Sequence, residues 1–313
     1  MEKIAVIGSG LIGRAWAMVF ARAGHPVKLY DNAPGATAHA LTLIAEGLRE
    51  SASFGLISEA PETAAARVTS AASIAEALDG ADYVQENTAE REDVKQAVYA
   101  ELDANAKPDC ILASSTSTIQ TSRFAGTLPG RHRCLVAHPV NPPHVVPIVE
   151  ISPAPFTAPD VVERTIALHI KVGQVPILVR KEVEGFILNR LQAALLLESF
   201  RLVDEGYVSA EDLDKTIRDG LGLRWSFMGP FETIDLNAPG GVSDYATRFG
   251  DKLCGMMAGT TYKPWDAALV AKVETERRLR MPQDQHAARE AWRDRRLMAL
   301  IAHKRELDKK TGK

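Results

Sequence analysis

Three glycines at a fixed place set what this chain can fold into. Gly8, Gly10 and Gly13 have the spacing G-x-G-x-x-G, directly after the apolar run Ile4 to Ile7 and directly at the start of the helical pattern Leu11 to Ala23. A strand that turns this tightly into a helix presents the unpaired N–H groups of the first helical turn to whatever lies beyond the strand, a place that suits a pyrophosphate. Gly8 permits the turn, Gly10 lets the backbone approach the phosphates, and Gly13 lets helix and strand pack closely; Leu11 and Ile12 complete the expected cofactor-binding run. A glycine-rich surface turn is the competing reading. It is weakened by Asp31, which follows a second strand, Val27 to Tyr30, eighteen residues past Gly13. A carboxylate there accepts both ribose hydroxyls and repels a 2′-phosphate, and neither Asn32 nor Ala33 offers a cation, so the expected cofactor is NAD and not NADP.

The same alternation continues. Short β-rich runs at Tyr83 to Gln85, Cys110 to Ala113, Cys134 to Ala137, Ile148 to Ile151 and Pro176 to Val179 are separated by amphipathic stretches, which predicts a mostly parallel sheet wrapped by helices. After Glu184 the pattern is helical throughout. Gly185 to Gly206 is apolar around most of its circumference and predicts a helix buried on several sides. Ser209 with Asp212 predicts a capped helix from Ala210 to about Asp219, Phe227 to Leu236 another, and Gln283 to Lys310 a last, heavily charged one with a solvated face. The expected fold is an α/β Rossmann domain over 1–183 and an all-helical domain over 184–313 for substrate binding and dimerisation.

A formal net charge of -3 gives no concentrated basic surface, so a nucleic-acid partner is not expected, and the ligand should be small. Cys110, Cys134 and Cys254 lie far apart without metal-ligand spacing, and an odd count suits a reducing compartment with inert thiols. No apolar run approaches the roughly 18 residues that span a bilayer, and the first residues do not read as a signal peptide. The expected location is the cytoplasm, with no membrane partner.

Removing a hydride from a carbinol carbon requires a base that titrates near neutrality to take the hydroxyl proton. Among eight histidines, His138 ends a strand at the sheet edge where open α/β sheets bind ligands, and a proline-rich turn, Pro139 to Pro147, leads from it to a run containing Glu150. Neighbouring strands would bring the two together as a proton-transfer dyad; the alternative is a buried histidine satisfied by a structural carboxylate. His144, inside the turn, is expected to be exposed. Ser114 to Thr118 forms a hydroxyl-rich turn at the end of another strand, suited either to hydrogen-bond a substrate oxygen or to cap a helix starting near Ile119.

These residues, in this order, resemble the 3-hydroxyacyl-CoA dehydrogenase superfamily across essentially the whole chain, and are most similar to its λ-crystallin branch, the L-gulonate 3-dehydrogenases. The resemblance is carried by AVIGSGLIGRAWAMVFARAG, VAHPVNPPHVVPIVEI, GFILNRLQ, GLGLRWSFMGPFETIDLNA and QHAAREAWRDRRLMAL. It implies that His138 is the general base and Glu150 its orienting partner. It further implies that Ser117 and Asn189 hydrogen-bond the reacting oxygen, and that Glu90 and Lys95 lie beside the cofactor; on its residues alone, Lys95 reads equally as a solvated helix position. Where the acyl-CoA enzymes read serine, asparagine, threonine, serine, this chain has Ser114, Ser115, Thr116 and Ser117.

The acyl-CoA branch carries lysine-rich sequence after its second strand; here Ala33 to Ser58 holds no lysine and only Arg49. The segment Leu223 to Met228 is longer than its acyl-CoA counterpart and contains Arg224, a candidate two-point clamp for a free carboxylate, or else an ion-pair partner between domains or subunits. The expected activity is therefore NAD-dependent oxidation of a free L-3-hydroxy acid such as L-gulonate. L-carnitine and L-3-hydroxyacyl-CoA oxidation, or a silent NAD-binding, crystallin-like role, are the alternatives. The superfamily resemblance also implies a homodimer.

Overall fold

The computed structural model describes residues 1–311. Its first strands and helices follow the expected alternation: β1 (Ile4–Ile7), α1 (Leu11–Arg22), β2 (Val27–Tyr30), α2 (Ala36–Ser53), α3 (Pro61–Ala65), β3 (Val68–Ser70), α4 (Ile74–Leu78), β4 (Tyr83–Glu86), α5 (Glu92–Asn105), β5 (Ile111–Ser114) and α6 (Thr121–Ala125). After these come β6 (Cys134–Pro139), β7 (Ile148–Pro153), α7 (Pro159–Lys171) and β8 (Val175–Leu178). The eight strands form one sheet in the order β3-β2-β1-β4-β5-β6-β7-β8. All neighbours are parallel except β6 and β7, which run antiparallel. The order reverses between β1 and β4, and the crevice at such a reversal is where open α/β sheets bind ligands. β3 was not expected from the sequence, because a three-residue edge strand carries no periodicity to detect.

Both faces of the sheet are buried, as parallel strands require. Along β1, Ile4 and Val6 join a core with Trp16, Phe20, Ile44 and Leu168, while Ala5 and Ile7 join the opposite core with Tyr99, Leu102 and Phe124. β1, buried at all four residues, therefore reads as a continuous apolar run, whereas the edge strand β3 is exposed at Thr69 and Ser70.

The remaining helices are α8 (Leu188–Asp204), α9 (Ala210–Lys215), α10 (Gly222–Trp225), α11 (Pro230–Leu236), α12 (Gly241–Met257), α13 (Ala267–Arg280) and α14 (His286–Thr311), with a π-helical turn at Thr216–Leu221. Ser209 caps α9 as expected, accepting the Asp212 N–H at 3.1 Å. The helix expected from Phe227 starts instead at Pro230, whose fixed φ suits a first helical position. Likewise α8 starts at Leu188 and not at Gly185, because Gly185 (φ 74) and Phe186 (φ 48) are left-handed and cannot begin a right-handed helix. Nor is α8 buried on several sides: Val203 is its one buried residue, and Leu191 is 64% exposed.

The chain forms two compact units, Met1–Arg190 with the segment beginning at Glu290, and Leu191–Arg289. The terminal segment thus belongs with the sheet and not with the helical unit, in contrast to a single domain over 184–313. Its anchor is Met298, 1% exposed, which packs with Leu56 and Val145 while Leu297 and Ile301 flank it. The helical unit is tied internally by Arg277, which pairs with Asp214 at 3.0 Å, by the Ala210 N–H on Glu276 at 2.8 Å, and by Phe200 stacked on Trp265.

Candidate active site

The glycine turn is built as its sequence predicts. Gly8 has φ 91 and donates its N–H to the Tyr30 carbonyl at 2.8 Å, and a Cβ there would stand 2.7 Å from the Asn87 carbonyl oxygen. At Gly13 a Cβ would lie 1.8 Å from the Gly8 oxygen, so only glycine allows α1 to pack on β1. Nothing lies within 4 Å of a Cβ at Gly10, the open position beside the first-turn amides of Leu11 and Ile12.

Asp31 follows β2. Its Oδ2 accepts the Ser9 N–H at 2.7 Å and the Ser9 hydroxyl at 2.8 Å, and its Oδ1 accepts the Ala33 N–H at 2.9 Å. Burial pushes this carboxyl up, but the hydrogen bonds from Ser9 and Ala33 outweigh it and hold the group below the usual carboxylate range. An open cradle at a helix N-terminus and an ionised carboxylate after the second strand fit NAD. Ser9, the variable position inside the glycine motif, was not singled out from the sequence; it fixes the Asp31 carboxylate.

His138 and Glu150 are register partners across the antiparallel β6–β7 pair. His138 Nδ1 is 2.8 Å from Glu150 Oε2, with the histidine 5% exposed and the glutamate fully buried. The other carboxylate oxygen, Oε1, accepts the backbone N–H groups of Ile187 at 2.8 Å and Leu188 at 3.0 Å. These amides are free because the left-handed Gly185 and Phe186 place the start of α8 here, where first-turn N–H groups lack helical acceptors. Burial raises the Glu150 carboxyl; the bond to His138 and the two amides more than reverse this, so it lies below its ordinary value. With Nδ1 engaged by an ionised carboxylate, Nε2 is the ring nitrogen left to exchange a proton. The Phe186 ring, centroid 5.4 Å from the imidazole, walls one side.

His144 is half-buried, contrary to its expected exposure, because the turn folds back so that Arg22 donates to the His144 carbonyl at 2.6 Å. Burial, with the Arg22 charge nearby, drives its imidazole down to about 4. It is not a base matched to neutral pH.

The hydroxyl turn is held from within. Glu90 Oε1 accepts the Thr116 hydroxyl at 2.7 Å and the N–H groups of Ser117 at 2.9 Å and Thr118 at 3.0 Å. The Ser117 carbonyl accepts the Asn189 side-chain amide at 2.9 Å, which supplies the partner that this amide needs. Thr116 Oγ1 also accepts the Ile119 N–H at 3.0 Å, but this bond closes the turn and caps no helix: α6 starts at Thr121, and its N-cap, Gln120, makes no side-chain capping bond. Ser115 points elsewhere, bonding Trp16 at 3.0 Å, Gln85 at 2.7 Å and Asn87 at 2.7 Å.

Lys95 is not solvated. It is 1% exposed, and its ammonium is 3.0 Å from both oxygens of Glu86, a fully buried residue that the sequence reading missed. The available signal was a carboxylate directly after the strand-like run Tyr83 to Gln85. Arg224 lies in the helical unit, exposed, and forms no ion pair among the described residues.

Glu150, the start of α8, Asn189, Ser117, Glu90 and Lys95 thus form one continuous chain of contacts within the sheet-bearing unit. A family model of the 3-hydroxyacyl-CoA dehydrogenase NAD-binding domain matches residues 3–183, and that of the C-terminal domain matches 185–279. The chain belongs to the 3-hydroxyacyl-CoA dehydrogenase family. As a member, it is an NAD-dependent oxidoreductase. A λ-crystallin homolog from Bos taurus is 42% identical, covering 97% of this chain and 96% of that protein. An L-carnitine dehydrogenase from Pseudomonas aeruginosa is 35% identical, over 100% and 97%. Among solved structures, a 5-formyl-3-hydroxy-2-methylpyridine 4-carboxylic acid 5-dehydrogenase, an NAD+-dependent dismutase, superposes with a TM-score of 0.81 at 29% identity, covering 96% of this chain and 97% of that one. Family membership and these likenesses agree with the Rossmann sheet, the helical segment and the NAD cradle described above. Among the described residues no helix is long and apolar enough to cross a membrane.

Proposed function

We propose that this member of the family oxidises a free L-3-hydroxy carboxylic acid to the 3-keto acid, with L-gulonate the leading substrate. The observation that carries the reading is the His138–Glu150 pair: an imidazole with one nitrogen fixed at 2.8 Å by a carboxylate that is itself fixed by two backbone amides. Gly8 to Gly13 and Asp31 would hold NAD, which would supply the acceptor for the hydride of the carbinol carbon. His138 Nε2 takes the hydroxyl proton, and Glu150, already ionised, stabilises the imidazolium that results. The Ser117 hydroxyl and the Asn189 side chain orient the reacting oxygen, while Gly8 to Gly13, Asp31, Glu90 and Lys95 serve the cofactor side.

Arg224 supports a free carboxylate over a thioester: it is exposed, without an ion pair among the described residues, and a guanidinium binds a carboxylate through two parallel hydrogen bonds. The scarcity of cations after β2 points the same way, since a CoA ester brings several phosphate charges. L-carnitine is the second reading, favoured by the likeness to L-carnitine dehydrogenase along the whole chain. Incubation with NAD and L-gulonate, followed by mass spectrometry of the product, tests the proposal. A species two hydrogens lighter supports it, and unchanged L-gulonate beside oxidised L-carnitine selects the second reading.

The protein is proposed to act as a cytoplasmic homodimer. Leu191, Leu223, Phe227, Phe231 and Leu236 are each more than 60% exposed in the single chain, more large apolar surface than a monomer usually leaves open. Light scattering that returned a monomer mass would refute the dimer.

A further inference from the structure

Ser115, directly after β5, stands where the acyl-CoA enzymes read asparagine, and its hydroxyl is the hub of a polar network. Its Oγ accepts the Trp16 indole N–H at 3.0 Å and the Gln85 side-chain amide at 2.7 Å, and it lies 2.7 Å from Asn87 Oδ1. A hydroxyl has two acceptor sites and one proton, so with both acceptor sites taken the proton goes to Asn87. The Asn87 side chain is thereby fixed in one sense, with Oδ1 toward Ser115 and Nδ2 donating to the carbonyls of Gln85 at 2.8 Å and Ile7 at 3.3 Å. Gln85, fully buried in β4, is fixed in the same way: its Oε1 accepts the Tyr83 hydroxyl at 2.8 Å, and its Nε2 donates to the Ala137 carbonyl at 3.2 Å as well as to Ser115. With the Tyr83 proton engaged there, His169 Nε2 is the donor in its 3.0 Å contact with the phenol oxygen.

The two ends of this network meet the two halves of the site. Asn87 lies on the glycine turn: its N–H donates to the Ile7 carbonyl at 2.7 Å, and its own carbonyl oxygen is the atom that a Cβ at Gly8 would meet at 2.7 Å. At the other end, Ala137 precedes His138 in β6. The register of β5 and β6 ends at Ser114 and Val136, one residue short of Ala137, and the Gln85 amide carries the connection on from there. Asn87, Gln85 and Ser115 thus run across the carboxyl ends of β1, β4, β5 and β6, neighbours in the sheet, from the cofactor turn to the strand of the base. A polar network in a core is costly unless its members are paired, and once paired it holds one geometry. We infer that Ser115 and Gln85 are positioning residues, which hold the glycine turn at a fixed place relative to His138. The inference rests on the reading of His138 as the base.

The test compares wild type with Ser115→Ala, Ser115→Thr and Gln85→Met. Its readouts are amide hydrogen exchange over residues 7–14 and 85–89 without cofactor, NADH affinity by fluorescence titration, and kcat, all measured well below Tm. Ser115→Ala removes the bridging hydroxyl, and Gln85→Met removes the link to Ala137 at similar volume. In both, exchange rises, the NADH Kd rises and kcat falls, each by about tenfold or more. Ser115→Thr keeps the hydroxyl and stays close to wild type in all three. Wild-type exchange, NADH affinity and kcat in Ser115→Ala, with only Tm lowered, would reduce the network to pairing within the core and overturn the inference. A Ser115→Thr variant as impaired as Ser115→Ala would overturn it too, because the hydroxyl would then not be what matters. Ser115 is half-buried, so its variants decide the question should Gln85→Met not fold. If the wild-type protein turns over no hydroxy acid, the functional reading fails on its own, while exchange and NADH affinity still decide the positioning role.

Discussion

Glu150 faces His138 directly across the β6–β7 pair and divides its two oxygens between tasks, one on the imidazole at 2.8 Å and the other on the amides that open α8. The orientation of the imidazole is thereby tied to the point where α8 begins. Left-handed backbone at Gly185 and Phe186 is what makes those amides available.

Replacing His138 by Gln removes the proton acceptor while keeping a side chain of similar polarity. Turnover should fall by about a hundredfold to ten-thousandfold, the range for loss of a general base, with NADH affinity retained in a fluorescence titration. Residual activity near wild type would require another base.

Glu150→Gln should lower kcat by about tenfold or more while leaving the NAD KM unchanged, because the neutral amide no longer stabilises the imidazolium. Steady-state kinetics on the purified variant checks this, and a change confined to KM would contradict it.

Much of this arrangement was legible in the sequence, for identifiable reasons. Strands buried on both faces are apolar runs between turn residues, and a histidine directly after such a run or a carboxylate inside one stands out, as His138 and Glu150 did. Glu86 and Lys95 were not paired in advance because their contact joins a strand end to a helix, and no periodicity relates them. The start of α8 was misplaced because a positive φ at Phe186 leaves no mark in composition. The exposure of Leu191 could not be read from an apolar helix, since the pattern does not say whether the same chain or another one covers it.

Arg224→Ala should raise KM for a free hydroxy acid by about tenfold to a hundredfold, as loss of a charge-assisted pair implies, with the NAD KM intact. Equal kinetics in variant and wild type would remove the clamp.

Two histidines with depressed imidazoles, the half-buried His144 and the buried His169, predict the acid limb of stability. Burial, with Arg22 nearby, holds His144 at about 4, and burial alone holds His169 at about 3, so both are neutral in the fold. The unfolded chain protonates them near their ordinary value, about 6.5. Below that pH it binds more protons than the native state. Stability is therefore fully present above about pH 6.5 and falls progressively as the pH drops toward 4 and then 3. Tm measured between pH 8 and pH 4 checks the direction, and His169→Gln should flatten part of the decline. A level profile over that window would contradict the assignment.

The choice of a free hydroxy acid is tested most directly by NADH formation by the purified protein with L-gulonate, L-carnitine, L-3-hydroxybutyrate and L-3-hydroxybutyryl-CoA at equal concentration. The highest kcat/KM is expected for a free acid, L-gulonate first, with little turnover of the thioester. Preference for the thioester would contradict it.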